Sequence, residues 1–130
     1  MKYLHTMIRV GDLDKSLKFY CEGLGFRLIS REDYAKDKFT LAFIAPPGAR
    51  DDGPMIELTY NWGTTHYERG DGYGHVAYHV DSIAEVQKRL KTHGYDLSWG
   101  PGETPSGTRK MAFVDDPDGY EIELLEGEKG

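Results

Sequence analysis

Cysteine is almost absent from this sequence. Cys21 is the only one among 130 residues, so no disulfide can form within the chain. Basic charge is also in short supply, with 16 lysines and arginines against 22 aspartates and glutamates and a net charge of -6. This argues against a nucleic-acid or membrane-surface partner, because no basic stripe is available to meet phosphates. The residues from Met1 to His5 lack the apolar run of a signal peptide, and with the lone cysteine this predicts a cytoplasmic protein.

An internal repeat appears when the sequence is aligned with itself at an offset of about 70 residues. Several matches occur in the same order in both halves, which chance explains poorly. The matches are His5 with His75, Val10 with Val80, Leu41-Ala42-Phe43-Ile44 with Met111-Ala112-Phe113-Val114, and Ile56-Glu57-Leu58 with Ile122-Glu123-Leu124. The chain is therefore interpreted as two copies of one unit.

The two copies cover residues 1–62 and 73–126, and residues 63–72 link them. A unit of about sixty residues is short of core unless it packs against its copy or against another chain. We therefore expect both copies to form a single domain, residues 1–130, which also associates with a second chain.

Each copy is predicted to fold as a strand, a helix and three further strands, an α+β arrangement abbreviated βαβββ. In the first copy, strands are expected at Tyr3–Val10, Phe26–Arg31, Phe39–Ala45 and Met55–Tyr60, with a helix between Asp12 and Gly25. In the second copy, a strand at His75 is followed by a helix between Ser82 and Gly94, then by strands at Tyr95–Trp99, Lys110–Val114 and Tyr120–Leu125.

Strand alternation predicts the face of the sheet on which the repeated polar residues lie. Glu57 and Glu123 each lie between apolar neighbours, which alternation turns toward a core, so that the glutamates face the other side of the sheet. A buried carboxylate without a cation is costly, because low dielectric disfavours the charged form. With His5 and His75 in matching positions, the pattern predicts a site for one divalent ion. Two imidazoles and two carboxylates suit nickel, cobalt, zinc or iron(II), with water completing the shell.

Four segments of the sequence match a known pattern. They are His5-Thr6-Met7-Ile8-Arg9-Val10-Gly11-Asp12-Leu13, Glu57-Leu58-Thr59-Tyr60-Asn61-Trp62-Gly63, Tyr73-Gly74-His75-Val76-Ala77, and the run from Ala112 to Leu124. Together these segments resemble bacterial glyoxalase I, the lactoylglutathione lyase family of the vicinal-oxygen-chelate superfamily, in its short form.

This resemblance implies a vicinal-oxygen-chelate fold of paired βαβββ modules and a homodimer whose sites lie between the subunits. His5 and Glu57 would come from one chain, and His75 and Glu123 from the other. The short form resembles the group activated by Ni²⁺ or Co²⁺, with Zn²⁺ as the alternative.

The activity that the resemblance implies is isomerisation of the hemithioacetal of methylglyoxal and glutathione to S-lactoylglutathione, which detoxifies methylglyoxal. Glu123 matches the mobile catalytic base, and Glu57 is its counterpart for the opposite stereoisomer. Arg9 and Asn61 match positions that hold the glutamyl end of glutathione. Asp71 stands where the family pattern has an arginine.

Other functions of the same superfamily remain open at this point. One alternative is a dioxygenase or an epimerase, although an iron site of two histidines and one carboxylate leaves Glu57 without a role. A thiol-transfer resistance protein and a metal-free module that sequesters a ligand are the others. His79, the repeat counterpart of Arg9, either contacts substrate, competes for the metal or is an ordinary hydrogen-bonded histidine.

Overall fold

The structure is a computed structural model that describes residues 1–127, so the last three residues of the predicted domain 1–130 lie outside the described residues. The chain divides into two compact units, Met1–Glu68 and Arg69–Gly130. That residues 1–130 act as one domain stays a prediction. In residues 1–127, no helix combines the length and apolar character needed to cross a membrane.

The first unit is a βαβββ module with one four-stranded sheet. Its elements are β1 (His5–Arg9), α1 (Leu13–Leu17), a π-helical segment (Lys18–Gly23), β2 (Arg27–Tyr34), β3 (Phe39–Ala45) and β4 (Met55–Asn61). The strands lie in the order β1-β4-β3-β2, with β1 parallel to β4 and the other neighbours antiparallel.

The helical part of this unit begins as α1 and ends as the π-helical segment. Asp12 caps its start, since the carboxylate accepts a hydrogen bond of 3.1 Å from the Lys15 amide. At the other end the Leu24 amide donates to Phe19 O at 3.1 Å, five residues back, which widens the last turns. The sequence predicted one helix across this stretch, and periodicity alone does not separate the two helix types.

Arg27 organises the insertion that only the first module contains. Its Nη1 donates to Pro46 O at 3.1 Å, its Nε donates to Asp51 Oδ1 at 3.2 Å, and its Nη2 also bonds to Ala49 O. The guanidinium thus satisfies two backbone carbonyls and a carboxylate of residues 46–53.

The second unit repeats the same topology. Its elements are β5 (His75–His79), α2 (Ile83–Thr92), β6 (Trp99–Glu103), β7 (Lys110–Asp115) and β8 (Glu121–Glu126). The strands lie in the order β5-β8-β7-β6, with β5 parallel to β8. The prediction of an α+β protein built from two βαβββ modules is therefore confirmed.

One predicted strand is misplaced. The sequence predicted a strand at Tyr95–Trp99, whereas β6 covers Trp99–Glu103. Tyr95 instead closes the end of α2, because its amide donates to Leu90 O at 2.9 Å. Asp96 accepts from its neighbour Leu97 and from Gln87 of the helix, which keeps this stretch out of the sheet. The actual strand contains two glycines and a proline, a composition that propensity does not favour for a strand.

Each sheet presents one apolar face to the core of its own unit. Ile56 and Leu58 of β4 are buried, and so are the matching Ile122 and Leu124 of β8. Because side chains alternate along a strand, Glu57 and Glu123 project from the opposite face. Each module therefore has one packed face and one face available for chemistry.

Candidate metal centre and substrate-binding residues

His5 and Glu57 form a pair on the open face of the first sheet. The parallel pairing of β1 with β4 puts Met7 opposite Glu57, and His5 lies two residues before Met7 on the same face. The imidazole Nε2 is 3.6 Å from Glu57 Oε1, and the two side chains are 35% and 14% exposed. The register of the sheet thus brings together two residues that are far apart in sequence.

His75 and Glu123 form the corresponding pair in the second sheet. Ala77 lies opposite Glu123 in the pairing of β5 with β8, and His75 again lies two residues earlier. His75 Nε2 is 3.4 Å from Glu123 Oε1, and the exposed fractions are 40% and 16%. The two pairs are built by the same strand register in both modules.

A phenylalanine that was not predicted as a site residue contacts the histidine of each pair. Phe43 lies opposite Glu57 and meets the His5 ring edge to face at 5.4 Å and 80°. Phe113 lies opposite Glu123 and meets His75 at 5.7 Å and 71°. Such contacts limit the rotation of the imidazole. The match of Phe43 with Phe113 in the internal repeat was the available signal.

The separation within each pair suits a shared cation. Two ligand atoms about 2.1 Å from one ion lie about 3.0–3.4 Å apart for bond angles of about 90–110°. The Nε2–Oε1 distances of 3.6 Å and 3.4 Å are within a few tenths of an ångström of that range. An imidazole nitrogen with a carboxylate oxygen is a donor set that nickel, cobalt and zinc accept.

No cluster of three or more histidine, cysteine, aspartate or glutamate side chains able to hold a metal occurs within residues 1–127. Within the first unit His5 lies beside Glu57, and within the second unit His75 lies beside Glu123. The complete set of four ligands stays a prediction.

Arg9 and Asn61, the predicted substrate-binding residues, lie on the open face of the first sheet. Arg9 is paired with Thr59 on β4, and Asn61 follows Thr59 by two residues, so alternation aligns both with Glu57. The Asn61 amide Nδ2 donates a 3.0 Å hydrogen bond to the hydroxyl of Tyr67. Tyr67 was not singled out from the sequence, because nothing in its local pattern marks a partner six residues away.

The His79 ring lies between the side chains of Arg109 and Asp81. Arg109 Nη2 lies 3.0 Å from His79 Nδ1, and since a guanidinium only donates, Nδ1 is the acceptor. The other ring nitrogen, Nε2, lies 3.7 Å from Asp81 Oδ1. This supports an ordinary hydrogen-bonded histidine rather than a metal ligand. Arg109 therefore binds His79 through Nη2, and its Nε is buried without a hydrogen-bond partner.

Arg69 contacts residues of the last turn in the second module. Arg69 Nη1 donates to Asp118 O at 2.8 Å, and its guanidinium stacks 4.4 Å from the centre of the Tyr120 ring. Asp71 is exposed.

The single cysteine is not a nucleophile of this site. Burial, followed by the negative charge of Glu22, raises the pKa of the Cys21 thiol above its ordinary value. A thiol with a raised pKa carries little thiolate at neutral pH and reacts slowly.

Comparison with known proteins identifies the superfamily of the chain. The family model of the Glyoxalase/Bleomycin resistance protein/Dioxygenase superfamily matches residues 2–124. The chain belongs to this superfamily. The resemblance recognised from the sequence is therefore confirmed.

Within the superfamily, the chain is similar to proteins named lactoylglutathione lyase. It is 48% identical over 126 residues to a probable lactoylglutathione lyase of Synechocystis sp., a match that covers 97% of this chain and 95% of the relative. It is 45% identical over 130 residues to a lactoylglutathione lyase of Neisseria meningitidis serogroup A, covering 100% and 94%.

A solved superfamily structure has the same fold. The trypanothione-dependent glyoxalase I of Leishmania major superposes with a TM-score of 0.81 at 43% identity, covering 97% of this chain and 86% of that chain.

Proposed function

We propose that this superfamily member is a metal-dependent glyoxalase I. It isomerises the hemithioacetal of methylglyoxal and glutathione to S-lactoylglutathione and so detoxifies methylglyoxal in the cytoplasm. The observation that carries the proposal is the presence of one imidazole–carboxylate pair in the same strand register of both modules. The names of relatives at 48% and 45% identity support the lyase activity.

The reaction moves a proton between neighbouring carbons and needs no external oxidant. Glu123 takes the proton from the carbon next to the carbonyl and returns it to the adjacent carbon, and Glu57 is its counterpart for the opposite stereoisomer. A divalent ion, when bound, supplies the Lewis acid that stabilises the negative charge of the enediolate. Both carboxylates are mostly shielded from water, which limits loss of the abstracted proton to solvent.

Arg9 and Asn61 orient the peptide part of the substrate in this proposal. The planar guanidinium of Arg9 binds both oxygens of a carboxylate, as at the glutamyl end of glutathione. Asn61 is held by Tyr67, so its amide is oriented before substrate arrives. By holding the peptide end, these contacts place the reacting carbons of the hemithioacetal relative to the two carboxylates.

The metal would be held by His5, Glu57, His75 and Glu123, with Ni²⁺ or Co²⁺ favoured and Zn²⁺ as the alternative. One chain supplies His5 and Glu57, and a second copy supplies His75 and Glu123, which makes the active unit a homodimer with sites at the subunit interface. The fit of each pair to one cation supports this assignment.

The test is to remove the metal and restore nickel, cobalt, zinc and manganese one at a time under strictly anaerobic conditions. We expect S-lactoylglutathione to form with at least one of these metals. Hydrolysis of this thioester is expected to return the free glutathione. Activity that requires oxygen and iron would instead indicate a dioxygenase. Glutathione that hydrolysis of the product does not return would indicate a thiol transferase. A protein that takes up no divalent ion in calorimetry would indicate a ligand-sequestering module.

A further inference from the structure

The two histidines of the candidate metal centre differ in their second ring nitrogen. His75 lies directly opposite Glu121 in the pairing of β5 with β8, and its Nδ1 is 3.7 Å from Glu121 Oε1. The residue in the same position relative to His5 is Met55. The repeat is therefore symmetric in its ligands and asymmetric in the residues beside them.

The group beside Nδ1 affects how a histidine binds a metal through Nε2. A neutral imidazole carries one proton, so a histidine that turns its Nε2 lone pair to a cation must hold the proton on Nδ1. A carboxylate that accepts this Nδ1–H selects the tautomer, orients the ring and raises the basicity of the ligating nitrogen. Glu121 offers such a carboxylate to His75, whereas the thioether of Met55 is only a weak acceptor.

The position of Glu121 suits this role. His75 has Glu123 3.4 Å from Nε2 and Glu121 3.7 Å from Nδ1, so the two carboxylates address opposite ring nitrogens. The Glu121 side chain is 48% exposed and has room to shorten its contact to hydrogen-bond length, about 3 Å, once Nδ1 bears the proton.

We propose that Glu121 is a positioning residue that holds His75 as an Nε2 ligand, and that His75 and His5 therefore bind the metal unequally. The inference rests on the metal centre proposed above. Glu121 itself does not bind the ion. Its effect is on the affinity of the site and on the orientation of one ligand.

The experiment measures the affinity of the full-length protein for Co²⁺ by competition with a chelator. Glu121→Met, which copies the first module, is expected to weaken binding by about ten- to a hundredfold. Glu121→Gln keeps an oxygen acceptor without the charge. Its affinity for Co²⁺ is expected to lie between that of Glu121→Met and that of wild type. Thermal unfolding of the metal-free proteins verifies that all variants fold.

Asp115→Asn is the matched control, because Asp115 lies opposite Glu121 on β7 and its loss removes the same charge without touching His75. Its Co²⁺ affinity is expected to stay within about twofold of wild type, since a charge without the Nδ1 contact does not orient the ligand. In the Zn²⁺-loaded protein, the Nδ1–H resonance of His75 is expected to be observable in wild type and lost to solvent exchange in Glu121→Met, with that of His5 unchanged.

Two results would overturn the inference: wild-type Co²⁺ affinity in Glu121→Met, or an equal loss in Asp115→Asn. Wild-type protein that binds no Co²⁺ would overturn the metal centre itself, and this inference with it. The two failures are therefore distinguishable.

Discussion

Glu123 and Glu57 share the same position and surroundings in their two modules. Each is mostly shielded, lies within 3.6 Å of an imidazole and projects from the face opposite the core. Each also lies opposite a phenylalanine of the neighbouring strand. These surroundings suit a carboxylate that would hold a cation and accept a proton better than they suit a solvated one.

Replacing Glu123 by glutamine tests its role as the base. Glu123→Gln keeps the shape and an oxygen but cannot accept a proton, so kcat is expected to fall by about 10²–10⁴. Thermal unfolding is expected to be unchanged. Glu57→Gln is the matched variant in the other module, and comparing the two identifies which carboxylate acts on each stereoisomer. Full activity in Glu123→Gln would remove the base from the proposed mechanism.

Tyr67 is expected to influence substrate binding through Asn61. Tyr67→Phe removes the acceptor of the Asn61 amide, at a cost of about 0.5–1.5 kcal/mol, which corresponds to a two- to tenfold higher KM with kcat nearly unchanged. Arg9→Ala is expected to raise KM further, because it removes a charged partner of the substrate.

Tyr95→Phe is the control for Tyr67→Phe in the same steady-state assay. Tyr95 closes the end of α2 in the second unit, whereas Asn61 lies in the first, so KM should stay at the wild-type value. Equal KM values for Tyr67→Phe and wild type would show that Asn61 needs no support.

At the scale of elements, the segment after β4 is held from two sides. The Trp62 indole Nε1 donates to Thr40 Oγ1 at 2.9 Å, and Thr40 in turn donates to Asp33 Oδ1 at 2.7 Å. On the other side, Gly11 approaches so closely that a Cβ there would lie 2.2 Å from Thr65 O. These contacts fix the direction in which Asn61 leaves the sheet.

Gly11→Ala is expected to destabilise the protein, because the added carbon meets a backbone oxygen that no side-chain rotation can move. The expected cost is about 1–3 kcal/mol, measured as a lower urea midpoint of unfolding. Gly72→Ala is the control, since a Cβ at Gly72 meets nothing within 4 Å. An unchanged midpoint in Gly11→Ala would mean that the segment at Thr65 shifts freely.

Elements also show where sequence patterns are insufficient. The extents of β3 and of the helix following Ser82 were predicted well, since apolar periodicity and capping are local signals. The π-helical segment and β6 were not predicted, because each depends on hydrogen bonds beyond the local pattern.

For the whole molecule, self-association is the property that the proposed metal centre requires. Large apolar side chains remain exposed in each unit, which supports burial in an assembly. They include Tyr3, Leu4, Met7, Leu28, Ile29, Tyr34 and Trp62 in the first unit, and Tyr73 and Trp99 in the second.

A mixed dimer tests whether each site takes one pair from each chain. His5→Ala and His75→Ala are expected to be nearly inactive alone, because each damages both sites of its homodimer. A mixed dimer of the two, purified through different tags, has one intact site and is expected to recover about half of the wild-type activity.

The control is a mixed dimer of His5→Ala with Glu57→Ala. Both changes lie in the first module, so both sites remain damaged and no recovery is expected. An inactive dimer of His5→Ala with His75→Ala would mean that each site forms within one chain.

The sequence alone determined the duplication, the α+β class, the face on which each glutamate lies and the family resemblance. The class and the glutamate faces follow from periodicity, a property of neighbouring residues, and the duplication follows from the matched order of the two halves. The resemblance rests on the four segments that are similar to a known family. Only the tertiary structure decided that His5 meets Glu57 and Phe43, that Tyr67 holds Asn61 and that Glu121 faces His75. Those contacts depend on strand register and on packing across the fold, which no local pattern encodes.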